Sequence, residues 1–112
     1  MANIGSTLTF SVVFTDAEGG VANPDLVEFW LREEIDGTEL QWTINGATGT
    51  AITTPTGMNA LVRDSTGLFH LSFVARKPER HSGYWRGSGT IFQASEDTAF
   101  VRHSAIGAID SP

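Results

Sequence analysis

The first part of the chain alternates between apolar and polar residues with a period of two. Over residues 7–15 the polar positions are interrupted only by Val13, and the apolar positions are Leu8, Phe10, Val12 and Phe14. This period is that of a half-buried β-strand. The β-branched and aromatic side chains also suit a pleated surface. The polar, glycine-containing run 16–20 ends the predicted strand.

Residues 26–34 and 38–44 repeat the alternation and predict a β-hairpin. The apolar positions of the first segment are Val27, Phe29 and Leu31, and those of the second are Leu40, Trp42 and Ile44. Between the segments lies Asp36-Gly37, a pair typical of tight turns because glycine adopts a positive φ at little steric cost. On the polar side of the first segment, Trp30 stands between Glu28 and Arg32.

The rest of the chain predicts further short strands rather than helices. The predicted elements, in chain order, are a loop over 45–59 with a short strand at 51–53, a hairpin of 61–63 and 68–75 around the turn 64–67, a polar connection over 76–81, a strand over 82–92, and a last strand over 98–103. Glycines at 83, 87 and 89 indicate a bulge or a close backbone approach in the strand 82–92. The pattern leaves open whether Phe100 or Val101 of the last strand faces inward.

These elements predict an all-β chain of about seven short strands, arranged as an immunoglobulin-like, two-sheet antiparallel β-sandwich. The sequence contains no cysteine, so the inter-sheet disulfide of antibody domains has no counterpart. Trp42 or Trp85 is therefore expected at the centre of the core by packing alone. We expect one domain over residues 1–112, with flexible arms at about 1–6 and 104–112.

Composition narrows the classes of partner. The chain has 112 residues with 7 Lys and Arg against 13 Asp and Glu, for a formal net charge of -6. Such a charge disfavours binding to nucleic acid and to anionic membranes. No signal peptide or membrane-spanning run is apparent, which predicts synthesis in the cytoplasm.

Candidate catalytic residues do not form a recognisable constellation. His70, His81 and His103 have no metal-ligand spacing, so ordinary surface histidines are expected. There is no Gly-x-Ser-x-Gly elbow for a nucleophile. The carboxylate pairs Glu33-Glu34 and Glu96-Asp97 are sequential and suit solvated strand ends, and the glycine-rich run 87–89 precedes no helix that could hold a phosphate. The sequence therefore predicts no enzyme and no cofactor.

The sequence offers two candidate binding sites, one for Ca²⁺ and one for a protein partner. Hard oxygen ligands cluster at Asp16, Glu18, Asn23 and Asp25, which is compatible with Ca²⁺, although solvated turn residues explain the same pattern better. Trp30, on a charged strand face, is either an interface anchor or buried. Burial could come from the 45–59 loop or from a register that turns Leu26 and Trp30 inward together. The predicted partner-binding candidates are Trp30, Tyr84 and Arg86.

The sequence also carries motifs of a known family. These are Leu61-Val-Arg-Asp-Ser-Thr-Gly-Leu-Phe-His-Leu-Ser-Phe73, Gly83-Tyr-Trp-Arg-Gly-Ser-Gly89, Glu96-Asp-Thr-Ala-Phe-Val101, and the Gly19-Gly20 turn with the Asn23-Pro24 step. In these motifs the chain resembles small immunoglobulin-like sandwich proteins of tailed bacteriophages, over about residues 14–102. That family is encoded among head and tail structural genes.

The resemblance implies a virion structural protein without catalytic residues. We expect it to decorate and stabilise the capsid by binding the major capsid protein or another virion protein through edge strands and terminal arms. Homo-oligomers on the particle are compatible with this role. The alternatives are a head–tail neck component and a tail-associated carbohydrate- or receptor-binding module that uses Trp30 or Tyr84.

Overall fold

The structure, a computed structural model, describes residues 2–3, 5–89 and 91–102. In these ranges the chain forms nine strands and no helix, and accordingly no helix long and apolar enough to span a membrane. The strands are β1 (Ala2–Asn3), β2 (Thr7–Val13), β3 (Leu26–Glu33), β4 (Thr38–Asn45), β5 (Ala51–Thr53), β6 (Val62–Ser65), β7 (Leu68–Val74), β8 (Glu79–Ser88) and β9 (Gln93–Arg102).

The strands form two sheets. The large sheet has the order β1-β9-β8-β3-β4-β5, and the small sheet has the order β2-β7-β6. All pairings are antiparallel except that of β1 with β9. The order β9-β8-β3-β4-β5 is that of strands G, F, C, C′ and C″ of a variable-type immunoglobulin domain, and β2-β7-β6 is that of B, E and D. The predicted sandwich is confirmed.

The core lies between the sheets and is built mainly from alternate residues of β2, β3, β4, β7 and β8. Its largest fully buried apolar side chains are Trp42, Trp85, Phe10, Phe14, Phe29 and Phe69. Phe29 is central, because its ring centroid lies 4.5 Å from that of Trp85 and 5.6 Å from those of Phe10 and Trp42. Trp42 and Trp85, one of which was expected at the centre of the core, are both fully buried there.

Gly83 of β8 makes a close backbone approach. A Cβ at this position would lie 2.8 Å from the Phe29 ring and 2.9 Å from the Phe10 ring, which is inside van der Waals contact. The register between β3 and β8 is continuous from Leu26↔Ser88 to Glu33↔His81. Of the two roles predicted for glycine in this strand, close approach is therefore the one observed, and there is no bulge against β3.

The last two strands differ from the predicted bounds. The strand predicted over 82–92 begins at Glu79 and ends at Ser88. It begins earlier because pairing with β9 extends to Glu79, and it ends earlier because Gly89 leaves the strand with a φ of 100°. The strand predicted over 98–103 begins at Gln93. Its polar first half pairs with β8 even though it lacks the apolar alternation that marks a strand in the sequence.

The ends of the chain were predicted as arms. Within the arm 1–6, β1 pairs in parallel with the end of β9, with Ala2 opposite Val101 and Asn3 opposite Arg102. The arm 104–112 lies outside the described residues. In the register of β9, Ala99 lies opposite His81 and packs against the core. The side-chain orientations of Phe100 and Val101, left open by the pattern, also lie outside what is described.

Candidate functional site

The three predicted partner-binding residues lie together on the outer face of the large sheet. Strand register places Trp30 of β3 directly opposite Tyr84 of β8, and Glu28 directly opposite Arg86. The rings of Trp30 and Tyr84 are 5.7 Å apart between centroids, with an interplanar angle of 54°. The Arg86 guanidinium carbon lies 5.1 Å from the centroid of the Trp30 ring, within cation–π range.

Hydrogen bonds hold the guanidinium of Arg86 in this position. Its Nε and Nη2 both donate to Glu28 Oε1, at 3.0 and 2.5 Å, and Gln41 Nε2 of β4 donates to Glu28 Oε2 at 3.3 Å. The Glu28 side chain is only 12% exposed, whereas that of Arg86 is 41% exposed. We call these five residues the outer-face cluster: Glu28, Trp30, Gln41, Tyr84 and Arg86.

The structure excludes one of the interpretations of Trp30. Val27, Phe29 and Leu31 are fully buried, so the alternative register that turns Leu26 and Trp30 into the core is wrong. Trp30 is half-buried by its neighbours in the outer-face cluster, and Tyr84 is 39% exposed. Both aromatic side chains are therefore partly accessible to a partner while they contact each other.

The outer-face cluster has the composition of a protein-binding hot spot. Trp, Tyr and Arg are the residue types that dominate binding energy in protein interfaces. Here they project from neighbouring strands of a sheet, and their rings and ion pair restrict one another. Fewer side-chain rotamers therefore remain to be immobilised on binding, which lowers the entropic cost.

Two of the four residues considered for Ca²⁺, Asp16 and Asn23, accept hydrogen bonds from the backbone. Asp16 Oδ1 accepts hydrogen bonds from the N–H groups of Glu18 and Gly20 at 3.0 and 2.9 Å, and Asn23 Oδ1 accepts one from the N–H of Gly67 at 2.8 Å. Across the part of the chain that the structure describes, no three His, Cys, Asp or Glu side chains are grouped to hold a metal ion. These oxygens stabilise turns.

A second polar cluster, missed by the sequence analysis, lies at the inner side of the large sheet near one end. Glu33 is 3% exposed and His81 is fully buried, and the two residues are directly opposite each other. Lys77 Nζ lies 3.1 Å from Glu33 Oε1 and compensates its charge. His81 Nε2 lies 3.8 Å from Glu33 Oε2 and has no hydrogen-bond partner among the described residues.

The expectations of a surface histidine at position 81 and of a solvated carboxylate at position 33 are therefore wrong. The alternation that turns Val27, Phe29 and Leu31 inward also turns Glu33 inward, a signal that was present in the sequence. His81 is also turned inward, because it lies directly opposite Glu33 in the pairing of β3 with β8. His70 lies on the outer side of β7 with Nδ1 2.8 Å from Asp64 Oδ2, and His103 lies outside the described residues.

At the surface, Lys77 of this cluster also bonds to Asp36 and lowers the pKa of its carboxyl group. Lys77 Nζ donates to Asp36 Oδ2 at 2.7 Å and the Thr38 N–H donates to Asp36 Oδ1 at 3.1 Å. These bonds, that of Lys77 first, lower the pKa of Asp36 from 3.8 to about 2. We expect Lys77→Met to return the pKa of Asp36 towards 3.8, measured by NMR titration of the carboxyl carbon, while Lys77→Arg keeps it low.

The sign of the stability effect follows from linkage. Because the folded-state pKa of Asp36 lies below its ordinary value, this carboxylate stabilises the fold above about pH 4, and that contribution is lost as the pH falls towards 2. The contribution is small, since both side chains are partly exposed. An Asp36 pKa that does not change in Lys77→Met contradicts the assigned ion pair.

Comparisons with known proteins do not assign this site. No protein-family model matches the sequence, and no curated protein is similar to it.

Proposed function

We propose that this chain is a non-enzymatic structural protein of a tailed-phage particle that binds the capsid lattice through the outer-face cluster. The observation that carries the proposal is the juxtaposition of Trp30, Tyr84 and Arg86 on one exposed sheet face. The assignment to a phage particle is supported by the motifs at 61–73, 83–89 and 96–101, which resemble those of phage sandwich proteins. Terminal arms and edge strands extend the contact.

The cluster is suited to anchoring rather than to chemistry. The Arg86 guanidinium and the Glu28 carboxylate already neutralise each other, so a partner need not supply a matching charge to each. Aromatic groups at the centre and a paired charge beside them are typical of an interface core with a polar rim. A partner surface with an apolar recess for Trp30 and a carbonyl acceptor for the Tyr84 hydroxyl fits this pattern.

Repetition makes a modest interface sufficient. On a symmetric shell, every copy of the lattice protein presents the same surface, so a small binding module can occupy many equivalent positions. Where copies or arms touch one another, the effective concentration rises and the overall binding exceeds that of one contact. The all-β, cysteine-free fold needs no oxidising compartment for its stability.

Co-sedimentation of the purified chain with intact, undecorated phage heads tests this proposal. The readout is the number of copies bound per shell at saturation. Saturation at a copy number matching the number of lattice subunits supports decoration. Saturation at a handful of copies contradicts lattice binding and identifies a neck or vertex component, and absence of binding contradicts any role on the head.

A second candidate is a carbohydrate-binding module of the tail. It is favoured by the partly exposed rings of Trp30 and Tyr84, which contact each other, and by Gln41, the partner of Trp30 in the register of β3 and β4. Aromatic side chains with adjacent polar groups are the usual elements of such sites. Binding on a glycan array that is lost in Trp30→Ala supports this candidate, and an array without signal removes it.

A further inference from the structure

The small sheet has one unprotected edge, formed by β2. Within the described residues β2 pairs only with β7. Its seven residues include no charge, no proline and no register shift. Natural edge strands normally carry one of these protections, because an open row of N–H and C=O groups pairs readily with another chain.

The other edges are short, charged or interrupted. In the large sheet the edge strands β1 and β5 have two and three residues and pair with only two positions each of β9 and β4. The uncovered parts of β9 and β4 carry Glu96, Asp97 and Glu39. In the small sheet, β6 has a register shift between Arg63 and Ser65 and carries the charged residues Arg63 and Asp64. Among the described strands, β2 is therefore the one with an open edge of more than three residues and no charged side chain.

In β2, odd- and even-numbered residues direct their backbone N–H and C=O groups to opposite sides of the strand. Ala75 N–H donates to Ser6 C=O, and Phe14 N–H donates to Gly67 C=O. The register between the two strands is continuous from Thr7↔Val74 to Val13↔Leu68. Since residues of an antiparallel pair alternate in bonding, the even-numbered residues of β2 bond to β7. The odd-numbered residues direct their N–H and C=O groups to the edge.

Both ends of this open row are closed. Gln93 of β9 covers one end, because its Nε2 donates to Val13 C=O at 3.0 Å and its Oε1 accepts from Thr15 N–H at 3.1 Å. At the other end Gly5 leaves the strand with a φ of 91°. The open residues between these limits are Thr7, Thr9 and Ser11, whose side chains are all exposed.

We propose that this edge binds the same edge of a second copy of the chain, in an antiparallel pair centred on Thr9. Thr9 would then lie opposite Thr9 of the second copy, and Thr7 would lie opposite Ser11 in both directions. Each of these residue pairs exchanges two hydrogen bonds. The pairing joins the two small sheets into one continuous sheet around a two-fold axis.

The composition of the open row favours a second copy over an unrelated peptide. A second copy presents an open row of the same length, closed at the same two ends, so in a pair centred on Thr9 each of the three open residues finds a partner. Thr–Thr and Thr–Ser pairs across strands are favourable, whereas like charges opposite each other are not. Although the chain has a net charge of -6, this row brings no charged side chain against its copy. The proposal does not depend on the virion role.

Amide hydrogen exchange measured by NMR at low and high protein concentration tests the proposal, together with sedimentation equilibrium. In the monomer, the amides of the even-numbered residues of β2 should exchange slowly and those of Thr7, Thr9 and Ser11 should exchange fast. At high concentration these three amides should become protected while the mass doubles. This alternating protection is a signature that contact through a sheet face would not produce.

Thr9→Lys and Thr54→Lys form a matched pair of variants. Thr54 is exposed and lies in no strand, so its variant controls for the added charge. Thr9→Lys places two like charges opposite each other and should weaken the dimer roughly tenfold or more, while protection of Leu8, Phe10 and Val12 shows that the fold persists. Thr54→Lys should leave the dimer intact.

Three results would overturn the proposal. The first is a single-chain mass at every concentration. The second is a dimer that Thr9→Lys leaves unchanged. The third is protection of Thr7, Thr9 and Ser11 that does not depend on concentration, because it would show that another segment of the same chain covers the edge.

Discussion

Replacing Phe29 by alanine lowers the free energy of unfolding by about 3–5 kcal/mol, the range for large aromatic deletions in a core. Phe29 has no exposed surface. Its ring joins Phe10 of the small sheet to Trp42 and Trp85 of the large sheet. Its removal leaves a cavity that these large rings cannot fill without leaving their rotamers. Urea denaturation followed by tryptophan fluorescence measures the loss.

Phe92→Ala is the matched control, because Phe92 is 76% exposed. The same deletion there should change the free energy of unfolding by less than about 0.5 kcal/mol. If Phe29→Ala does not fold, Phe29→Leu should fold and show a smaller loss in the same direction. Equal effects at positions 29 and 92 would contradict the placement of Phe29 at the centre of the core.

Replacing Trp30 by alanine reduces binding to phage heads about thirtyfold or more, which corresponds to the roughly 2 kcal/mol of a hot-spot residue. The variant removes the ring on which Arg86 and Tyr84 rest, so it disturbs the centre of the outer-face cluster. Trp30 lies outside the core, and the fold should therefore persist. Binding isotherms from co-sedimentation give the ratio of dissociation constants.

Val74→Ala provides the comparison for this variant. Val74 is 53% exposed and lies on β7 of the small sheet, so its truncation removes apolar surface away from the outer-face cluster. It should leave head binding within about twofold of the unchanged protein. A Trp30→Ala variant that binds as well as Val74→Ala would place the docking surface elsewhere on the molecule.

Much of the sandwich could be predicted because its core strands obey one simple rule. In β2, β3 and β7 the alternation of apolar residues coincides with the observed burial of every second side chain. The Asp36-Gly37 turn was also visible, since Gly37 has a φ of 73°. Local pattern suffices where one face of a strand is apolar and the other is polar.

The pattern fails where pairing decides the structure. Residues 93–97 of β9 have no apolar alternation, yet each of them pairs with a residue of β8. His81 and Glu33 are polar at buried positions. Glu33 is tolerated because Lys77 and His81 lie beside its carboxylate, and His81 Nδ1 lies 3.2 Å from the Glu79 carbonyl oxygen. A single-sequence pattern contains the polarity of a residue but not the identity of its partner.

The same limit applies to the outer-face cluster. Trp30, Tyr84 and Arg86 could each be singled out from the sequence as a polar-face aromatic or its neighbour. Their juxtaposition depends on the pairing of β3 with β8, two strands far apart in the sequence. Strands C and F are neighbours in an immunoglobulin sandwich, so the predicted fold class held the information that periodicity lacked.

The most direct test of the docking surface is hydroxyl-radical footprinting of the chain, free and bound to phage heads, with oxidation of each side chain read by mass spectrometry. We predict that binding lowers the oxidation of Trp30 and Tyr84 and leaves that of His70, on the outer side of the small sheet, unchanged. Trp42 and Trp85 are fully buried and should react little in either state. Unchanged oxidation of Trp30 and Tyr84 in the bound chain would contradict docking through this face.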